Sequence, residues 1–210
     1  MSKARRLVLG TTNAHKGQEL ADLLAAFGFH VQTLQDFPNH LDVVEDGDSF
    51  AANARKKAIE QAMHLNYWVM ADDSGLEVDA LNGAPGVYSA RYAGPSAKDK
   101  DNNARLLSEL ADIPWEKRSA RYYCHIAVAD PAGVIKAETW GECRGRIRTE
   151  PAGSNGFGYD PLFEIREYHQ TFGQLGPHVK AALSHRARAL RTIVPRLISL
   201  AATDQWQRAQ

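Results

Sequence analysis

The chain has 210 residues, and 25 Lys plus Arg balance 25 Asp plus Glu, so the formal net charge is zero. That balance excludes a global basic field for gripping a nucleic-acid polymer, so any phosphate must be bound locally. An apolar fraction of 44% supports a full core and excludes a disordered chain, and the length suits one domain or one domain in two lobes.

No apolar run approaches membrane-spanning length. The basic start is followed only by Leu7-Val8-Leu9, too short for the apolar core of a signal peptide, so cytoplasm is the expected compartment. Cys124 and Cys143 are expected as reduced thiols.

Residues 6–10 read as a short buried strand. Thr11-Thr12-Asn13-Ala14-His15-Lys16 follows, with Asn13 as a helix cap and Leu20, Leu23, Leu24 and Phe27 at helical spacing until Gly28. Free N–H groups at a helix start favour an anion. Lys16 there is either a second phosphate ligand or an exposed lysine at an ordinary helix start. No Walker loop occurs.

Residues 30–34 read as a second strand. Asp48 or Ser49 then caps a helix to about residue 65, with Phe50, Ala54, Ala58, Ala62 and Leu65 inward. Glu45 and Asp46 lie just before that cap. Arg55, Lys56 and Lys57 read most simply as a solvated face.

Trp68-Val69-Met70-Ala71 reads as a buried strand that ends on Asp72-Asp73, with Ser74-Gly75 as a turn. Adjacent strand residues point to opposite faces, so the two Asp should not share one job. A further strand is expected over 77–81, a turn-rich loop over 82–94 and a helix over 98–111. Residues 120–129 alternate, with Tyr122, Cys124, Ile126 and Val128 on one face, and residues 134–143 pair back as a hairpin.

A glycine-rich loop covers residues 150–161. Phe157 and Tyr159 offer rings to a flat heterocycle and Asp160 offers an acceptor; alternatively, the aromatics turn into the core. Residues 162–165 read as a strand and 169–179 as irregular. Ser184 caps a last helix, which Pro195 should kink or shorten. His185-Arg186 at its start puts donors where a helix prefers acceptors, and so hints at a bound acceptor. Residues 205–210 read as a loose tail.

Five motifs occur in order. They are Thr11 to Lys16, Ala-Asp-Asp-Ser-Gly-Leu from Ala71, Gly-Ala-Pro-Gly-Val-Tyr-Ser-Ala-Arg-Tyr from Gly83, Gly-Phe-Gly-Tyr-Asp-Pro from Gly156, and Leu-Ser-His-Arg from Leu183. Together they resemble the Ham1/RdgB family of inosine and xanthosine triphosphate pyrophosphatases. The resemblance covers about residues 7–200. It implies an α/β fold with a long twisted mixed sheet, two lobes around a cleft, and a homodimer. It implies hydrolysis of ITP, dITP and XTP to the monophosphate and pyrophosphate, which clears such nucleotides before they enter DNA or RNA.

Carried over by position, Thr11, Thr12, Asn13, Ala14, His15 and Lys16 would hold the triphosphate. Asp73 would bind Mg²⁺ and take the proton of the attacking water, with Lys16 assisting catalysis and Glu45 as the other metal ligand. Ser74 would contact substrate. Phe157, Gly158, Tyr159 and Asp160 would enclose the base, and Lys180, His185 and Arg186 would complete the base and phosphate contacts. The family's acidic positions are missing at Val44, Ala52 and Gln174. A Maf-type nucleotide pyrophosphatase and a sensor that binds nucleotide without turnover are the alternative readings. The Phe157 loop and Ser184-His185-Arg186 argue against the first, and retention of Glu45 and Asp73 against the second.

Overall fold

The computed structural model describes residues 5–12, 20–21, 24–203 and 206. Among them seven strands form one mixed sheet: β1 (Arg5–Leu9), β2 (Phe29–Thr33), β3 (Val69–Val78), β4 (Ser119–Ala129), β5 (Ile135–Ile147), β6 (Phe163–Ile165) and β7 (Gln170–Thr171). Their order is β2-β1-β3-β4-β5-β6-β7. β1 runs parallel to β2 and β3, whereas β6 is antiparallel to β5 and β7. The α/β class and the mixed sheet are as expected from sequence. No helix among the described residues is long and apolar enough to cross a membrane.

The described residues fall into two compact units. One lies within Met1–Asp73, His125–Trp140 and Ala189–Gln210; the other is Ser74–Cys124 with Gly141–Arg188. Strands β3, β4 and β5 each pass from one unit into the other, and the first passage falls between Asp73 and Ser74.

In the first unit, helix α1 (Phe50–Leu65) starts at Ser49, whose side chain accepts the Ala52 N–H, and ends at Asn66 in the left-handed conformation. Its alanines at 54, 58 and 62 are fully buried and pack with Val8, Val69, Ala71 and Ala127. Small side chains on one stripe let the helix lie close to the sheet. Residues 20–21 and 24–25 are helical, with Leu20 and Leu24 buried. Phe27, expected inward, is 42% exposed, because the helix has already ended in a turn there. The expected contributions of Asn13 and Leu23 lie outside the described residues.

The tail is not loose at Trp206. That ring is 1% exposed, stacked on Trp68 at 4.1 Å and edge-on to Phe29 at 5.5 Å. A large apolar ring overrides the polar composition around it.

In the second unit, helix α2 (Asp99–Glu109) buries Leu106 against Leu76, Val78, Tyr122 and Phe163. Its N-cap is Lys98, and Asp101 accepts the Lys98 N–H at 2.9 Å. Arg118, 4% exposed, donates to the carbonyls of Leu110 and Ile113 just beyond the helix. Both cysteines are buried thiols outside any disulfide, and burial pushes the Cys143 thiol up to about 11.

Three expectations need correcting. β3 does not stop at Asp72-Asp73; it runs through Ser74-Gly75 to Val78, and residues 79–81 form a 3-10 turn rather than strand. Val69, Met70 and Ala71 are all buried, Asp72, Asp73 and Ser74 are half-buried, and burial resumes at Gly75 and Leu76; that polar interruption mimics a break. Residues 169–179 are not irregular, since they contain β7 and the start of helix α3 (Pro177–Leu183). Helix α4 (His185–Ala201) follows, with the Ser184 hydroxyl accepting the Ala187 N–H as expected. Pro195 does not shorten it; the helix continues six residues further, and the Ser199 hydroxyl donates to the Pro195 carbonyl.

Candidate active site

In the first unit the site is built on β3 and the face of α1 beside its alanine stripe. β1 pairs with β3 only as far as Leu9 and Met70. The chain then leaves β1 at Gly10, where a side chain would come within 2.8 Å of the Ala71 Cβ. That close approach sets Thr11, half-buried, and Thr12, exposed, directly after the strand, with the Thr11 carbonyl accepting the Leu34 N–H. Asn13, Ala14, His15 and Lys16 lie outside the described residues.

Asp73 sits in mid-strand with its side chain 12% exposed. Its Oδ2 accepts from Asn53 Nδ2 at 2.9 Å, and its Oδ1 lies 3.8 Å from Lys57 Nζ. The same ammonium donates to Glu45 Oε1 at 2.9 Å. Asn53 is fully buried, and its Oδ1 accepts the Gly47 N–H at 2.8 Å. Gly47 has to be glycine here, since a Cβ would meet that oxygen at 2.7 Å.

Lys57 is therefore not part of a solvated face; it bridges the two carboxylates expected from sequence. Asn53 and Gln61 stand one turn away from it on either side, at four-residue spacing. Gln61 is 2% exposed and clasps Leu41 through both its backbone groups. A polar stripe at 53, 57 and 61 beside an alanine stripe at 54, 58 and 62 was the signal in the sequence. Arg55 and Lys56 do face solvent, where they pair with Glu138 and Asp46.

The donor set suits a hard divalent cation. Two carboxylates already converge on one positive charge, and hard cations take such oxygens. Among the described residues no three His, Cys, Asp or Glu gather in one cluster. A cation held by Glu45 and Asp73 would complete its shell with water and ligand phosphate, as Mg²⁺ commonly does. Val44 beside Glu45 is 67% exposed and offers no side-chain oxygen.

In the second unit the glycine-rich loop divides its aromatics. Phe157 is 64% exposed, whereas Tyr159 is 4% exposed and donates its hydroxyl to the Ser89 carbonyl at 2.8 Å. Only Phe157 presents a ring to solvent. Asp160, 1% exposed, accepts from the Phe157 N–H at 2.8 Å and forms an ion pair with Lys180. Its other oxygen lies 3.4 Å from the Tyr122 hydroxyl. Burial holds that phenol well above its ordinary range, so it stays protonated and donates. Asp160 thus shapes the loop from inside it. Gly156, at φ +77°, leaves room for the carboxylate; a Cβ there would stand 2.0 Å from Asp160 Oδ2.

The Lys180 ammonium lies 4.2 Å from the centre of the Phe157 ring. His185, 8% exposed, stacks on Tyr122 at 5.0 Å and 17°. Arg186 donates to the Ser74 hydroxyl at 3.3 Å. Lys180, Asp160, Tyr122 and His185 thus form one contact chain, from a short helix through the loop and β4 to the start of α4. Tyr122 joins two motifs more than twenty residues apart. In sequence it was only one inward position of an alternating strand, and nothing but its hydroxyl among apolar neighbours set it apart.

The chain matches the Ham1 family over residues 7–196. It is 55% identical over 200 residues to the dITP/XTP pyrophosphatase of Rhodopirellula baltica, covering 95% of this chain and 96% of that one. It is 50% identical over 186 residues to the dITP/XTP pyrophosphatase of Desulforamulus reducens, covering 89% and 92%. Among solved structures, a Ham1 protein from Coxiella burnetii superposes with a TM-score of 0.87 at 36% identity, over 92% of this chain and 98% of that one. This chain belongs to the Ham1 family.

Proposed function

We propose that this chain is a nucleoside triphosphate pyrophosphatase that hydrolyses the deaminated purine nucleotides ITP, dITP and XTP to the monophosphate and pyrophosphate. In the cell it would clear them before they enter DNA or RNA. The observation that carries the hydrolytic reading is Asp73, held by Asn53 and paired with Glu45 across Lys57. The names of the relatives supply the substrate class.

Asp73 takes the proton of the attacking water. Asn53 fixes the carboxylate by occupying Oδ2, which leaves Oδ1 to face the Lys57 ammonium. An oriented base of this kind contributes about 10²–10⁴-fold to a rate. Glu45 and Asp73 would hold Mg²⁺, which when bound would neutralise phosphate charge and make a coordinated water more acidic. Lys57 offsets the repulsion between the two carboxylates and offers its charge to phosphate as well. Thr11 to Lys16 wrap the triphosphate, and Lys16 stabilises charge on its oxygens.

The base stacks on Phe157, with Gly158, Tyr159 and Asp160 holding that ring in place. Ser74 contacts the substrate. His185 and Arg186 donate to the 6-oxygen of hypoxanthine or xanthine, and Lys180 completes the contacts around the base. Adenine carries an amino group at that position, so each buried donor left unpaired costs about 1–3 kcal/mol. We also propose that the chain works in the cytoplasm and, on the family resemblance alone, that it forms a homodimer.

The test is the product pattern. Incubation with ITP and Mg²⁺ should give IMP and pyrophosphate in equal amounts, and a chelator should stop the reaction. IDP with orthophosphate would refute the reading. Glu45→Gln is expected to raise the Mg²⁺ concentration for half-maximal rate by at least about 10-fold. Gly156→Ala forces a Cβ against Asp160 at a backbone angle that side chains disfavour. It is expected to raise KM for ITP by about 10-fold or more, read from initial rates.

A further inference from the structure

We propose that Asp99 and Asn103, at the start of helix α2, are positioning residues that clamp the stacking loop and thereby set affinity for the base. The inference rests on the reading above, in which Phe157 takes the base.

The geometry is a two-point grip on one residue. Asp99 Oδ2 accepts the Gly158 N–H at 2.6 Å, and Asn103 Nδ2 donates to the Gly158 carbonyl at 3.0 Å. Four residues apart, the two side chains rise from one face of the helix. An acidic residue in a first helical turn is ordinarily explained by the helix dipole, and Asp101 behaves that way by accepting the Lys98 N–H. Asp99 instead reaches a loop 59 residues further along the chain. The neighbouring Asn102, 3% exposed, turns the other way and binds the Ala93 N–H and the Ala90 carbonyl.

The grip matters because of what surrounds Phe157. The residues on both sides of it are glycines at positive φ, +77° at Gly156 and +62° at Gly158. Glycines leave the backbone many alternatives. Asp160 fixes the Phe157 N–H on one side. Asp99 and Asn103 fix both backbone groups of Gly158 on the other. The ring is thus held outward, 64% exposed, with the Lys180 ammonium at 4.2 Å, before any ligand arrives. A surface ordered in advance loses less freedom on binding. Because the grip acts on binding and not on the reacting phosphates, it should change KM and leave kcat alone.

The experiment compares Asp99→Ala, Asp99→Asn and Asn103→Ala in the full chain. Amide hydrogen exchange without ligand reads the loop directly. Asp99→Ala and Asn103→Ala should speed exchange across residues 153–160 and leave α1 and β3 as in the parent. KM for ITP should rise about 10-fold with kcat within about twofold. Asp99→Asn keeps an acceptor for the Gly158 N–H and should restore KM to within about threefold of the parent. Unchanged loop exchange in Asp99→Ala would overturn the clamp. So would kcat, KM and melting temperature all worsening together with Asp99→Asn no better, because that is the signature of a lost helix end. If the loop exchanges faster but the parent neither binds nor turns over ITP, the clamp stands and the base-stacking reading fails.

Discussion

Asp73→Asn is expected to lower kcat for ITP hydrolysis by about 10²–10⁴-fold while ITP still binds. On the proposed mechanism the substitution removes the proton acceptor and keeps the shape. An amide oxygen can still accept from Asn53 Nδ2, the 2.9 Å bond that holds the wild-type carboxylate. Lys57 keeps its 2.9 Å bond to Glu45 and loses only the longer 3.8 Å approach to Asp73. The melting temperature should therefore move by no more than about 3 °C. Single-turnover rates and equilibrium binding of ITP, measured on the same preparation, separate the two effects. Loss of binding in step with loss of rate would mean that Asp73 serves mainly to hold substrate. A parent chain that binds ITP and never turns it over would revive the sensor reading.

The largest expected effect on stability comes from the far end of the chain. Trp206→Ala should cost about 3–5 kcal/mol. The ring is almost fully buried, stacked at 4.1 Å on Trp68, the residue just before β3, and edge-on to Phe29 in β2. Removing it leaves a cavity behind the strand that carries Asp73 and strips Trp68 of its stacking partner. For a chain of this length the melting temperature should drop by about 6–20 °C. Thermal unfolding followed by circular dichroism reads the shift directly. A drop under about 2 °C would show that residues around Trp206 contribute little to the first unit.

Much of the scaffold was legible because local signals agreed with tertiary needs. Ser49, the alanine stripe of α1 and the alternating β4–β5 pair each showed a cap or a period, and each formed as read. β3 misled because three half-buried polar residues, Asp72, Asp73 and Ser74, interrupt its buried run, and glycine in a strand looks like a turn. Trp206 misled because one buried ring outweighs a polar tail.

At the site, Asp73, Glu45, Phe157 and His185-Arg186 could be named from motifs, but their supports could not. Asn53, Lys57, Tyr122 and Asp99 act through pairings between residues far apart in sequence. Asp160 shows the converse: it reads as a ligand for the base, yet its oxygens hold the Phe157 N–H and Lys180.

The most direct test of the account is the ratio of kcat/KM for ITP and XTP against ATP, measured by pyrophosphate release in Mg²⁺. Donors at His185 and Arg186 that lose their partner with a 6-amino purine predict that ITP and XTP exceed ATP by at least about 100-fold. Turnover of ATP at a rate equal to that of ITP would contradict the account, since nothing would then be reading the 6-position of the base.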